Sequence, residues 1–230
     1  MADDSKPIRH SKAEEAEVVS DPDEQARLEA RNALRQFDMV LELIDQYLQP
    51  ERPFKLRLSM ILGLHRAALE GLSAYAGVFR PGSVKIEQSQ HEPVSAHLVA
   101  ENIEDMCDYV NQHWDSHAVH LAAYVMWRLN WIHPFSDGNG RTSRAISYLV
   151  LCIKLGWRLP GTNTIPEQIA EDKAPYYDAL EAADKAFAHG NIDTSKMEEL
   201  IGNYLAKQLL EAYNTATGKA QQNNNSRKLH

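Results

Sequence analysis

A mainly α-helical bundle (all-α in class) with one small β-hairpin is the fold this sequence predicts, and three observations lead to it. Two apolar runs with helical period, residues 118–132 and 145–157, flank a polar loop and read as buried helices. Residues 21–48 carry an apolar stripe at helical spacing, formed by Leu28, Ala33, Leu34, Phe37, Val40, Leu41 and Ile44. Only one short stretch, residues 83–87, alternates polar and apolar side chains as a strand does.

The elements follow in order. Residues 1–19 are polar and charged and are expected to be disordered. A helix then opens at Asp21, which can cap it, with Pro22 at the first helical position and Glu24 three residues after the cap, as in a capping box. Residues 20–50 form this N-terminal helical unit, and the prolines at 50 and 53 end it. A second helix is expected over 54–71, with His65 packed inside it. Pro81-Gly82 signals a turn, and the strand at 83–87 is expected to fold back through the polar turn 88–93 as a hairpin. An amphipathic helix follows over 95–112, with Ser95 as its candidate cap. His113, His117 and His120 lie in a helix-to-helix connection that lacks the converging donors a zinc site needs. After the two apolar runs come a short helical turn at 166–171, a helix within 173–189 and a last helix over about 194–213. A polar tail at 215–230 is expected to be disordered.

Composition narrows the possible functions. The 230 residues carry 24 basic and 32 acidic side chains, a net charge of −8, which argues against nucleic acid as a partner. No apolar run is long enough and free enough of charge to span a membrane, so no membrane partner is expected. Cys107 and Cys152 fall in apolar helical settings and read as buried thiols, which suits a reducing cytoplasm.

The chemistry is concentrated in the loop His133-Pro-Phe-Ser-Asp-Gly-Asn-Gly-Arg-Thr-Ser-Arg144. Pro134 ends the preceding helix, and Phe135 is the one large apolar side chain available to anchor the loop in the core. Gly138 and Gly140 can take positive φ, which lets successive N–H groups converge on an anion. The next helix starts at about Gly140 and aims its N-terminus at the same place. Arg141 and Arg144 share one face of its first turn. Cations at a helix N-terminus cost roughly 0.3–1 kcal/mol each, so two of them call for a multiply charged anion, and phosphate fits guanidinium geometry best. Asp137 is placed to hold Mg²⁺ against phosphate oxygens, and His133 to act as general base. The set describes phosphoryl or nucleotidyl transfer to a hydroxyl.

This loop resembles the signature of Fic-domain proteins: histidine-x-phenylalanine-x-acidic-glycine-asparagine-glycine-arginine-x-x-arginine, with every defined position filled. The resemblance covers residues 55–210, tightest over 132–144, and implies a Fic-type helical bundle with a hairpin flap over 51–214. It implies AMP transfer from ATP to a serine, threonine or tyrosine hydroxyl of a target protein. His133 would be the base, Asp137 the Mg²⁺ ligand, Gly138, Asn139, Gly140 and Arg141 the phosphate cradle, and Arg144 the γ-phosphate ligand. By the same resemblance Val84, Lys85 and Ile86 would dock the target along the flap, and Tyr176 and Tyr177 would lie against ribose or adenine. Removal of AMP from a modified protein, or transfer of another phosphate-containing group, are alternatives at the same site. Self-modification and a homodimer are compatible with the family. Some members carry an inhibitory helix reading serine/threonine-x-x-x-glutamate-glycine/asparagine. Ser20-x-x-x-Glu24 matches its first five positions, with Gln25 in place of the last, and the helix-capping reading accounts for Glu24 equally well.

Overall fold

The computed structural model describes residues 11–12 and 18–219. Within them run a two-residue strand β1 (Ser11–Lys12), α1 (Pro22–Tyr47), α2 (Leu58–Leu69), β2 (Lys85–Ile86) and a 3₁₀ turn (Ala96–Leu98). Then follow α3 (Val99–Gln112), α4 (Ala118–Ile132), α5 (Asn139–Leu155), α6 (Ile165–Glu171), α7 (Ala174–Ala188) and α8 (Ser195–Ala216).

α4 is the axis of the bundle. Every side chain from Leu121 to Leu129 is buried, which is why the helix is apolar all round rather than striped. α5 packs antiparallel against it, and Ser147 Oγ donates to the Ala122 carbonyl at 2.8 Å where the two backbones come close. α3, α7 and α8 pack against the remaining sides of α4, while α1 and α2 close over α5. No helix among the described residues is long and apolar enough to cross a membrane.

α1 starts as expected, with Asp21 Oδ1 accepting from the Asp23 N–H at 3.0 Å. Its buried face differs from the predicted stripe. Asn32, Gln36, Val40 and Ile44 are buried, whereas Leu34 is 69% exposed. The two amides belong inside because α2 offers them carbonyls: Asn32 Nδ2 donates to Glu70 O at 2.8 Å and Gln36 Nε2 to Leu64 O at 3.1 Å. Each amide nitrogen has its carbonyl acceptor, and the Asn32 bond also caps the end of α2, although Asn32 Oδ1 is buried without a hydrogen-bond partner. Ser95 makes no side-chain cap to the turn that follows it. His120 bridges α3 and α8: its Nδ1–H donates to Glu198 Oε1 at 2.9 Å, and its Nε2 shares a hydrogen bond with Tyr109 Oη at 3.1 Å.

The hairpin is the main correction. β2 pairs antiparallel with β1, in the register Ser11↔Ile86 and Lys12↔Lys85, not with a strand returning from residues 88–93. Gln88 takes φ 56°, and the chain leaves β2 through a turn without pairing again. So Ser11 and Lys12, within the segment expected to be disordered, form a strand, while residues 1–10 and 13–17 lie outside the described residues. The tail expected from residue 215 instead continues α8 to Ala216, and residues 220–230 lie outside the described ones. Cys107 and Cys152 are buried free thiols, as expected, and burial pushes them up to about 12 and about 11.

Candidate functional site

The loop between α4 and α5 is held from three directions. Phe135 is fully buried and stacks on the His65 ring, with centroids 3.6 Å apart and planes 4° from parallel. His65 Nδ1 accepts from the Gly77 N–H at 2.9 Å, so Nε2 carries the proton and donates to the Asp137 carbonyl at 3.0 Å. Asn139 braces the loop from within, accepting from Phe135 N–H at 3.0 Å through Oδ1 and donating to Phe135 O at 2.8 Å through Nδ2. The Asn139 side chain is therefore a loop brace, and the residue also lines the adjacent cavity.

Arg80 supplies the third hold. It is buried, and its guanidinium donates to His133 O (Nε, 2.7 Å), Gly82 O (Nη1, 2.7 Å) and Val94 O (Nη2). Its backbone N–H also donates to Pro134 O at 2.9 Å. One side chain thus fixes the α4–α5 loop and both ends of the segment that contains β2.

Within this frame His133 ends α4 in the left-handed region at φ 53°, an unusual conformation for a non-glycine residue. Its Nδ1 lies 3.2 Å from Asn130 O, which assigns the proton to Nδ1 and the lone pair to Nε2. Burial pushes its pKa down to about 4. The Asn130 carbonyl works against this shift, and His91 and Arg80 add to it. The imidazole is a neutral base at any ordinary pH.

One cavity gathers the predicted residues. His133, Asp137, Gly138, Asn139, Gly140, Arg141 and Arg144 all line it. Asp137 is the one exposed residue between His133 and Asn139, and its carboxylate is the sort of hard oxygen donor Mg²⁺ accepts. Mg²⁺ binds through one or two carboxylates completed by water and substrate phosphates, so a single aspartate beside two arginines fits it only with a polyphosphate present. Arg141 and Arg144 are half-buried, and burial lowers Arg144.

Gly138 is where the cradle tolerates no side chain. It sits at φ 76°, and a Cβ there would come within 2.6 Å of Leu69 Cδ2 and 3.3 Å of the His65 ring. Gly138→Ala is expected to lower stability by about 1–3 kcal/mol, combining left-handed strain with displacement of Leu69. Denaturant unfolding at equilibrium checks this, and an unchanged midpoint would refute the steric account.

The remaining predicted residues divide. Tyr176 and Tyr177 both line the cavity, but Tyr176 is 2% exposed and its hydroxyl accepts from Asn130 Nδ2 at 2.7 Å, 3.4 Å from Ser143 Oγ. Tyr176 also hydrogen-bonds Arg144, and Tyr177 is half-buried. Ile86 lines the cavity, Lys85 is exposed, and the Val84 side chain is 9% exposed and belongs to the core. Glu24 is exposed one turn into α1, no residue of α1 lines the cavity, and no ion pair joins Glu24 to Arg144. The sequence reading missed Asn130, His91, Lys173 and Asp184 in the lining. Asn130 and Lys173 lie at helical spacing from recognised residues, three before His133 and three before Tyr176, which was the available signal.

Comparison with known proteins agrees with this geometry. Residues 55–151 match the sequence model of the Fic/DOC family. The protein adenylyltransferase Fic of Drosophila willistoni is 31% identical over 150 residues, 63% of this chain. The protein adenylyltransferase fic-1 of Caenorhabditis briggsae is 28% identical over 151 residues, 64% of this chain. In each case the match spans 28% of the relative's own length. Among solved structures, Fic-1 from C. elegans superposes with a TM-score of 0.64 at 21% identity, over 82% of this chain and 52% of that one. BepC of Bartonella tribocorum with bound AMPPNP gives 0.51 at 14% identity, over 81% and 88%. At these identities the solved structures establish a shared fold.

Proposed function

We propose, for a chain that carries a Fic/DOC-family domain across residues 55–151, that it is a protein adenylyltransferase moving AMP from ATP to a serine, threonine or tyrosine hydroxyl of a target protein. The observation that carries the reading is the pairing of a neutral imidazole, lone pair on Nε2, with two arginines at the start of α5 around one cavity. The curated relatives named as adenylyltransferases, and the AMPPNP bound in BepC, support the same choice.

In this reading the target hydroxyl attacks the α-phosphorus, the bond from that phosphorus to the bridging oxygen breaks, and pyrophosphate leaves. His133 Nε2 takes the hydroxyl proton. Arg141, Arg144 and the backbone N–H groups opening α5 meet the negative charge that spreads over the phosphates, so that positioning and electrostatics supply much of the rate. Mg²⁺ held by Asp137 would neutralise further phosphate charge. A target strand that docks on β2 displaces a two-residue ribbon, which is marginal by itself. Removal of AMP would need a glutamate to position water, and no glutamate among the described residues lines the cavity.

The test is to incubate a lysate with the protein and ATP radiolabelled on the α-phosphate. Labelled protein bands absent from the lysate alone are expected, and label supplied on the γ-phosphate should add none to those the lysate makes by itself. Transfer from the γ-position alone would replace adenylyl transfer by phosphorylation. Glu24→Gly is expected to leave the labelling rate within about twofold, because its loss removes only an exposed helix-dipole contact worth about 0.3–1 kcal/mol. A large rise would mean that Glu24 reaches Arg144 in another conformation.

A further inference from the structure

We propose that Lys173 is the third arm of the anion clamp, binding the terminal phosphates of a nucleoside triphosphate and the pyrophosphate that leaves. Lys173 occupies the cap position before α7, with φ −84° and ψ −13°, and it lines the same cavity as Arg141 and Arg144. Tyr176 and Tyr177 in the first turn of α7 line that cavity together with Arg141 and Arg144 from the start of α5, so the two arginines and the lysine reach it from two different helices.

The energetics require a ligand there. The ammonium is half-buried, and among the described residues no carboxylate forms an ion pair with it. Burial lowers its pKa, and Arg144 and then Arg141 lower it further. Three cations gathered around one cavity repel one another. The carboxylates that also line it are engaged or exposed: Asp184 accepts from the Trp127 indole N–H at 2.8 Å, and Asp137 stands at the rim. Such a cluster is relieved by an anion with more charge than one phosphate carries. Two guanidiniums suit planar, bidentate contacts, whereas a lysine is a point charge that can follow an anion as it moves. A departing pyrophosphate is such an anion.

The inference rests on the adenylyltransferase reading only for the identity of the nucleotide, and its test separates the two. Wild type and Lys173→Gln are titrated calorimetrically with Mg²⁺–ATP, with AMP and with inorganic pyrophosphate. One lost charge-assisted contact should weaken ATP and pyrophosphate by about tenfold or more. AMP, which lacks the terminal phosphates, should bind both proteins alike and shows that the variant is folded. Lys173→Arg should recover most of the lost affinity. Equal binding of ATP and pyrophosphate by wild type and Lys173→Gln overturns the clamp even if target labelling persists. A Lys173-dependent pyrophosphate affinity in a protein that labels nothing would keep the clamp and remove the adenylyltransferase. A wild type that binds neither ligand overturns both.

Discussion

His133→Ala is expected to reduce AMP transfer by ~10²–10⁴-fold, the range associated with a positioned general base, while the protein stays folded. Among the described residues one other imidazole lines the cavity, His91, and it is tied to the Trp131 carbonyl at 2.7 Å. Single-turnover labelling with α-labelled ATP measures the loss, and undiminished transfer by the variant would remove His133 from the mechanism. The pH profile gives a second readout. A base held down to about 4 stays unprotonated across the usual range, so kcat/KM should be flat on its acid side until the pH approaches that value. A base at the ordinary histidine value would already lose rate below about 6.5. Stability runs the same way. Between about 6.5 and about 4 the unfolded chain binds a proton at this position that the folded chain refuses, so wild-type stability falls as the pH falls through that window. His133→Ala lacks this liability, and its melting temperature should gain on the wild type's as the buffer is acidified. A constant difference from pH 7 to pH 5 would argue that the imidazole is not buried as described.

What the sequence makes legible follows the range of the interactions. The loop 133–144 could be read because its work is local: turn glycines, a helix start and the arginines are fixed by neighbours a few residues away. The helices could be read for the same reason, since their apolar period is local. The errors are all long-range. Asn32 and Gln36 look like surface residues until the carbonyls of Glu70 and Leu64 arrive opposite them. Tyr176 does line the cavity, but the hydrogen bond its hydroxyl takes from Asn130, 46 residues earlier in the chain, could not be read locally. The partner of β2 is most telling. Residues 88–93 carry ordinary turn chemistry, and nothing local marks Ser11–Lys12 as a strand, since a two-residue ribbon has too few positions to show an alternation. Lys173 was passed over because a lone lysine before a helix reads as solvated until Arg141 and Arg144 are placed across from it.

Arg80→Ala should have the largest effect on stability, about 3–5 kcal/mol, although no charged partner is lost. Arg80 is 3% exposed, and its guanidinium is met by the three carbonyls of His133, Gly82 and Val94. Burial lowers its pKa, but a guanidinium stays charged, so the cost of burying it is already borne in the native state. Truncation leaves those carbonyls without their donor at about 1–3 kcal/mol for each one that water cannot reach, and adds a cavity where the side chain packed. For a chain of this size the loss should lower the melting temperature by about 6–20 °C. Arg80→Lys separates packing from positioning. An ammonium keeps the charge and much of the volume but cannot point donors along three fixed directions in one plane. It should restore most of the melting temperature while kcat stays depressed, because His133 O is no longer held and the base drifts from the left-handed conformation that aims it at the cavity. The affinity for ATP should be nearly unchanged, since Arg141, Arg144 and the start of α5 do not depend on that contact. A lysine variant with full kcat would reduce Arg80 to a packing residue, and an alanine variant that melts with the wild type would remove the staple altogether.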